Sequence, residues 1–261
     1  MRIAVAQVKS TDDTRRNAQR VCGEIERAGK RGADLVVFPE AMSQAFATSR
    51  LDTRAEELDG PFATAVAAAA REAGLVAVVG MFRPADTVER EGRRVNRVYN
   101  TALVTGPGVH EGYDKRHTYD AFGYRESDTV KAGQRAVLVP VGDARVGVAT
   151  CFDLRFPDLF QGLARAGAQV IAVPASWSGG PGKTRQWRTL VQARALDTGA
   201  FVAAADQPGD GEQDDPTGVG HSMIVGPDGA VLAEAGQEEE LLVADVSLID
   251  VAQTRRAIPI L

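Results

Sequence analysis

Short apolar runs alternate with amphipathic stretches along this chain, and the alternation predicts its elements. Residues 3–8, 35–38, 75–82, 100–105, 136–141, 145–150, 170–174 and 201–205 are rich in β-formers, and most are apolar at nearly every position. Strands buried on both faces read this way. Between them, residues 14–30, 62–72, 159–166 and 184–198 place apolar side chains at helical spacing. Buried strands interleaved with amphipathic helices predict sheets covered by helices, the layered α/β class.

Two further patterns refine that class. Residues 98–105 and 109–113 flank Gly106-Pro107-Gly108, and residues 222–225 and 231–234 flank Gly226-Pro227-Asp228-Gly229, so each pair reads as a β-hairpin. Hairpins make the sheets mixed, and the first strand is not followed by G-x-G-x-x-G, which argues against a doubly wound dinucleotide fold. Residues 83–95, charged and irregular, and residues 208–220, rich in Gly, Asp and Pro, read as exposed loops. No linker interrupts the 261 residues, so one domain over 1–261 is expected, with a short tail from about 246.

Composition narrows the function. The formal net charge of −5 is spread over interspersed charges of both signs, without the basic stripe that grips a phosphate backbone, so nucleic acid is not an expected partner. The opening Met1 to Gln7 turns polar by Lys9, too soon for a signal peptide, and no apolar run reaches membrane-spanning length. A cytoplasmic location follows as the expectation. The two cysteines and three scattered histidines have neither disulfide-framework nor metal-ligand spacing, so no metal or cofactor is expected.

Three strand ends carry candidate chemistry. Glu40 ends the apolar run Leu35-Val36-Val37-Phe38-Pro39, where a carboxylate sits either at a solvated sheet edge or in a site. Lys115 follows a hairpin arm, where most lysines are solvated. Cys151 closes the run from Val146 to Thr150 just where the chain turns into Phe152-Asp153-Leu154-Arg155-Phe156-Pro157. A thiol on such a turn is either a small buried hydrophobe or a nucleophile facing free backbone N–H groups. Cys22 lies on a helix face with Ala18, Val21 and Ile25 and reads as packing. Together, Glu40, Lys115 and Cys151 supply base, cation and nucleophile without a histidine.

The segments Phe38-Pro39-Glu40, Tyr113-Asp114-Lys115-Arg116-His117 and Cys151-Phe152-Asp153-Leu154-Arg155-Phe156-Pro157 resemble the three signature blocks of the nitrilase superfamily, the carbon–nitrogen hydrolases. Tyr124-Arg125-Glu126-Ser127, Ala132-Gly133, Trp187 with Ala193-Arg194-Ala195, and Gly220-His221-Ser222 extend the likeness over residues 3–245. The resemblance implies a four-layer αββα sandwich that associates as a homodimer or higher homo-oligomer. It implies Glu40 as general base, Cys151 as nucleophile, and Lys115 as oxyanion stabiliser, helped by the Phe152 backbone N–H. Glu126 is the expected carboxylate beside the lysine; its competitor, Glu111, alternates toward solvent on the hairpin strand.

The block around Cys151 is most similar to the ω-amidase and deaminated-glutathione amidase branches, which act on small amides bearing a remote carboxylate. Arg155 is the candidate partner for that carboxylate, unless it is paired structurally, and Asp153 is expected to fix the turn. Tyr119, Phe122 and Trp177 are candidate pocket walls. An N-carbamoyl amidohydrolase would use the same residues, a nitrilase is disfavoured by Arg155-Phe156-Pro157, and a catalytically silent scaffold is the non-enzyme alternative. The chain departs from the family's pattern at Asp114, at Thr118-Tyr119-Asp120, and at Asp206-Gln207-Pro208, where relatives often carry Asn-Arg.

Overall fold

The computed structural model describes residues 1–46, 50–90, 92–209 and 218–261. The chain opens with β1 (Arg2–Gln7), α1 (Thr14–Lys30), β2 (Leu35–Val37) and α2 (Pro61–Ala73). A long hairpin of β3 (Val76–Arg90) and β4 (Arg93–Gly106) leads to β5 (Val109–Asp114) and a small hairpin of β6 (Asp120–Ala121) and β7 (Tyr124–Arg125). The second half runs β8 (Leu138–Val141), β9 (Ala144–Val148), α3 (Pro157–Arg165), β10 (Val170–Pro174), α4 (Lys183–Thr198) and β11 (Phe201–Ala205). It closes with β12 (Met223–Val225), β13 (Val231–Glu234), β14 (Glu240–Asp245) and α5 (Leu248–Ala257).

Two six-stranded mixed sheets result, ordered β14-β1-β2-β3-β4-β5 and β13-β12-β11-β10-β9-β8. Strand alternation explains how they stack. Ile3, Val5, Leu35 and Val37 face Val146, Val148, Val170, Ala172, Phe201 and Ala203 in one core between the sheets. The intervening Ala4, Ala6 and Val36 pack instead on Val21, Ile25 and Ala28 of α1 and on Phe62, Val66 and Ala70 of α2. On the far side, Ile171, Val173, Val202 and Ala204 meet Leu159, Phe160 and Leu163 of α3 and Trp187, Val191 and Ala195 of α4. Every central strand is therefore buried on both faces, and the layers are αββα. The helices are punctuated locally: the Asp13 carboxylate accepts from the Arg15 and Arg16 N–H groups, while α2 starts on Pro61 and ends at left-handed Gly74.

Two expectations need correction. Residues 83–95 are not an exposed loop: apart from Glu91, which lies outside the described residues, they extend the β3–β4 hairpin from Arg83 opposite Tyr99 to Arg90 opposite Arg93, with a register shift between Pro84 and Thr87. This ribbon projects beyond the packed layers, so its alternation is of charge with half-burial, and cross-strand pairs such as Arg97–Asp86 replace apolar contacts. Of the loop expected at 208–220, residues 210–217 lie outside the described residues, whereas Pro208, Gly218, Val219 and Gly220 are buried. The tail beyond 246 holds α5, whose Val251 joins the inter-sheet core and whose Arg255 donates to the Thr198 and Ala168 carbonyls.

One close approach ties β3 to the end of β2. A Cβ on Gly80 would lie 2.5 Å from the Ala41 nitrogen and 2.6 Å from the Glu40 Cα. No other residue leaves room for the turn that follows Pro39, whose carbonyl accepts from the Gly80 N–H at 3.1 Å. Gly80→Ala should therefore destabilise the protein by about 1–3 kcal/mol in urea unfolding, because backbone rather than a flexible side chain must move. Gly23→Ala, at an exposed α1 position with nothing within 4 Å of the added methyl, should instead stabilise it by about 0.5–1 kcal/mol.

Candidate active site

Glu40, Lys115 and Cys151 each stand just past a strand end, and the two sheets bring those ends to one place. The Glu40 N–H donates to the carbonyl of Ala175, after β10, at 3.1 Å, so the turn after β2 is tied directly to the opposite sheet. Glu40 is 1 % exposed and Lys115 2 % exposed, and their side chains meet with the Nζ 2.9 Å from Oε1. Glu126, in a short 3-10 turn after β7, is equally buried and takes the other side of the ammonium at 2.9 and 3.1 Å. Glu111 is exposed, as its alternation predicts.

The cluster is held by groups that are remote in sequence. Asn100 of β4 donates from one amide nitrogen to Glu40 Oε1 at 2.7 Å and to Glu126 Oε1 at 3.0 Å. The Ser176 N–H donates to Glu40 Oε2 at 2.9 Å, and the Tyr119 N–H to Glu126 Oε2 at 2.6 Å. Gln207 fixes the Glu40 carbonyl at 3.0 Å, and the Asp206 carboxylate accepts from the Trp177 and Val219 N–H groups at 2.7 and 2.8 Å. Asp206 and Gln207, read from sequence only as a departure from the family pattern, thus position the two loops that flank the cluster. Lys115 is further pinned by the Gly133 N–H on its carbonyl at 2.8 Å; a Cβ at Gly133 would fall 2.1 Å from the Asp114 oxygen.

Cys151 opens a 3-10 turn, Cys151–Arg155, ahead of α3. Its φ is +45°, a conformation that costs a residue with a side chain about 1–2 kcal/mol. Asp153 repays the strain: Oδ2 accepts from the Thr150 N–H at 2.9 Å and the Tyr113 hydroxyl at 2.7 Å, and Oδ1 from the His117 N–H at 3.1 Å. One buried carboxylate therefore locks the cysteine turn to the β5 segment that delivers Lys115. Phe152, second in the turn, carries one of the N–H groups that lack an acceptor inside such a turn.

The electrostatics follow from burial. Burial, helped by Glu126, raises Glu40 above the ordinary carboxylate value against the pull of Lys115. For Lys115, burial disfavours the ammonium, but Glu126 and Glu40 outweigh it and hold the lysine well above its ordinary value. Burial and then Glu40 push the Cys151 thiol up, opposed by Lys115 and the Ser176 N–H. The Cys151 thiol and the Glu40 carboxylate line the same cleft.

The cluster forms the floor of a cleft of about 460 Å³. All four residues expected to wall it or bind within it do line it. Tyr119 packs edge-on against Phe152, and Phe122, at the tip of the β6–β7 hairpin, is 86 % exposed. Trp177 is 4 % exposed, and the Arg155 guanidinium lies 5.0 Å from the centre of its ring while donating to Gln186 of α4 at 2.7 Å. Arg155 makes no ion pair among the described residues; its partners are Gln186 and the Trp177 ring. Asn100 and Lys183, also at the site, were missed by sequence reading. A polar side chain opening an apolar strand was the only signal for Asn100, and Lys183 gave none.

A family model described as carbon-nitrogen hydrolase matches residues 2–256. Hydrolase Rv0480c of Mycobacterium tuberculosis is 45 % identical over 273 residues, covering 100 % of this chain and 94 % of the relative. Omega-amidase NIT2 of Bos taurus is 31 % identical over 266 residues, covering 99 % and 93 %. Among solved structures, a mutant amidase from Nesterenkonia sp. AN1, showing the result of Michael addition of acrylamide at the active site cysteine, superposes with a TM-score of 0.78. It is 27 % identical, with 98 % of this chain and 97 % of that one covered.

Removing the Glu126 charge tests the electrostatics. Because Glu126 is the strongest influence raising Lys115, Glu126→Gln should let the lysine lose its proton at lower pH as the pH rises. A 13C NMR titration of the lysine Cε resonance, comparing the variant with the parent, should record that downward shift. An unchanged titration would show that Glu126 does not hold the charge on Lys115.

Proposed function

The chain belongs to the carbon–nitrogen hydrolase family and is an amidohydrolase, and we propose that it cleaves a small carboxylate-bearing amide, an ω-amide or α-keto acid amide, through a thioester on Cys151. The observation that carries this reading is the buried Glu40–Lys115 contact at 2.9 Å in the same cleft as Cys151. It gives a thiol whose proton has a destination and a developing oxyanion a cation.

As the Cys151 sulfur attacks the amide carbonyl carbon, its proton passes to Glu40, and the carbonyl oxygen becomes an oxyanion held by Lys115 and the Phe152 N–H. An ammonium has three N–H donors, so Lys115 can serve the oxyanion if the two Glu126 oxygens share one of them. Glu40 then protonates the departing nitrogen, the C–N bond breaks, and ammonia leaves a thioester behind. Water enters, gives a proton to Glu40, and its oxygen attacks the thioester; collapse breaks the C–S bond and returns the proton to sulfur. Glu126 positions the lysine and keeps it charged. Arg155, cationic and without a carboxylate partner among the described residues, is placed to hold the substrate carboxylate, with Tyr119, Phe122 and Trp177 as walls. The exposed Ile249, Ile258, Ile260 and Leu261 support the expectation that the protein works as a homodimer.

Ammonia release from a panel of ω-amides, α-keto acid amides, carbamoyl amino acids and neutral aliphatic amides tests the reading. Turnover should favour carboxylate-bearing amides, and Cys151→Ala should abolish it, by a factor of about 10³ or more. Glu40→Gln, which removes the proton carrier of both half-reactions, should cut ammonia release by a factor of about 10² or more. Equal ammonia release by the Cys151→Ala protein would overturn the nucleophile assignment.

A further inference from the structure

The cleft carries two cations outside the Glu40–Lys115–Glu126 cluster. Its ionisable walls include Lys183, the first residue of α4, besides Arg155 and the Glu40–Lys115–Glu126 cluster. Lys183 is half-buried and makes no ion pair among the described residues. Its Nζ lies 4.4 Å from the centre of the Phe122 ring and 5.8 Å from that of Tyr119, and 3.5 Å from the Tyr119 hydroxyl. The two glutamates of the cleft are turned to Lys115 and accept from backbone and Asn100, so neither answers Lys183 or Arg155.

The two unanswered cations are anchored on different supports. Arg155 leans on Trp177 and donates to Gln186, whereas Lys183 rests on the aromatic residues of the β6–β7 hairpin region. Aromatic faces hold a cation without neutralising it, leaving its charge available to an anion. Two such points in one small cleft are an arrangement for two anionic groups, not one.

We propose that Lys183 is a specificity-determining residue that binds a second anionic group, so the preferred substrate of this site is an amide carrying two carboxylates. This rests on the proposed amidase reading and deepens it: Arg155 takes one carboxylate and Lys183 the other, and the scissile amide lies over Cys151. Substrates with one carboxylate use only half of the recognition.

Binding to the Cys151→Ala protein tests this without turnover, so its failure is distinct from failure of the catalytic reading. Isothermal titration with amides of matched length carrying zero, one or two carboxylates should show the doubly charged amide bound about ten- to a hundredfold more tightly than the singly charged one. Adding Lys183→Met should erase that increment while leaving the singly charged amide within about twofold, and Lys183→Arg should restore most of it. Equal affinity for the singly and doubly charged amides would overturn the proposal. So would a Lys183→Met loss that is uniform across all three ligands, since that would make Lys183 only a clamp on the Phe122 hairpin.

Discussion

The ammonium of Lys115, shared between two buried carboxylates, is the contact on which the architecture of the site depends. An isolated charge in such surroundings is untenable, and removing one partner of a buried pair costs about 3–5 kcal/mol because the other is left uncompensated. Glu40, Lys115 and Glu126 come from the end of β2, the end of β5 and the turn after β7, so each segment must be correctly placed for the others to keep their charges. Asn100 adds a crossbar between the two carboxylates from a fourth segment. The site is therefore cooperative in the same sense as a core, but with charge taking the place of apolar area.

Cys151 is held in a different way. Its left-handed backbone would relax in an isolated peptide, and what prevents this is Asp153, which takes hydrogen bonds from the cysteine's own turn and from the segment carrying Lys115. Nucleophile and cation thus share a support that touches neither reacting atom. Gly80 and Gly133 complete the scheme by letting backbones approach where a methyl group would push Glu40 or Asp114 aside.

The central strands and the first four helices were legible because burial on both faces leaves a continuous apolar signal and burial on one face leaves a helical one. The outer half of the β3–β4 ribbon was not, since its inner face is only half-buried and its cross-strand contacts include charge pairs such as Arg97–Asp86. β14 and α5 were also missed: β14 is a short strand specified mainly by its partner β1, and α5 buries only Val251. At the site, Glu40 and Cys151 stood out because each ends an apolar strand, whereas Lys115, after the largely polar β5, gained meaning only beside them. Glu126 needed the family resemblance, while Asn100 and Gln207 reach the buried cluster, and Lys183 the cleft, only through tertiary packing.

The pairing of β1 with β14 bears on how the molecule assembles. Arg2 and Asp245 lie opposite each other, joined by a bidentate ion pair across 243 positions of sequence. During synthesis β1 must wait with one edge open until the strand around residue 245 emerges. At about 5–20 residues per second, that delay is some tens of seconds. During that interval the open edge of β1 is a template for the wrong partner, and the rate of translation sets how long it stays so.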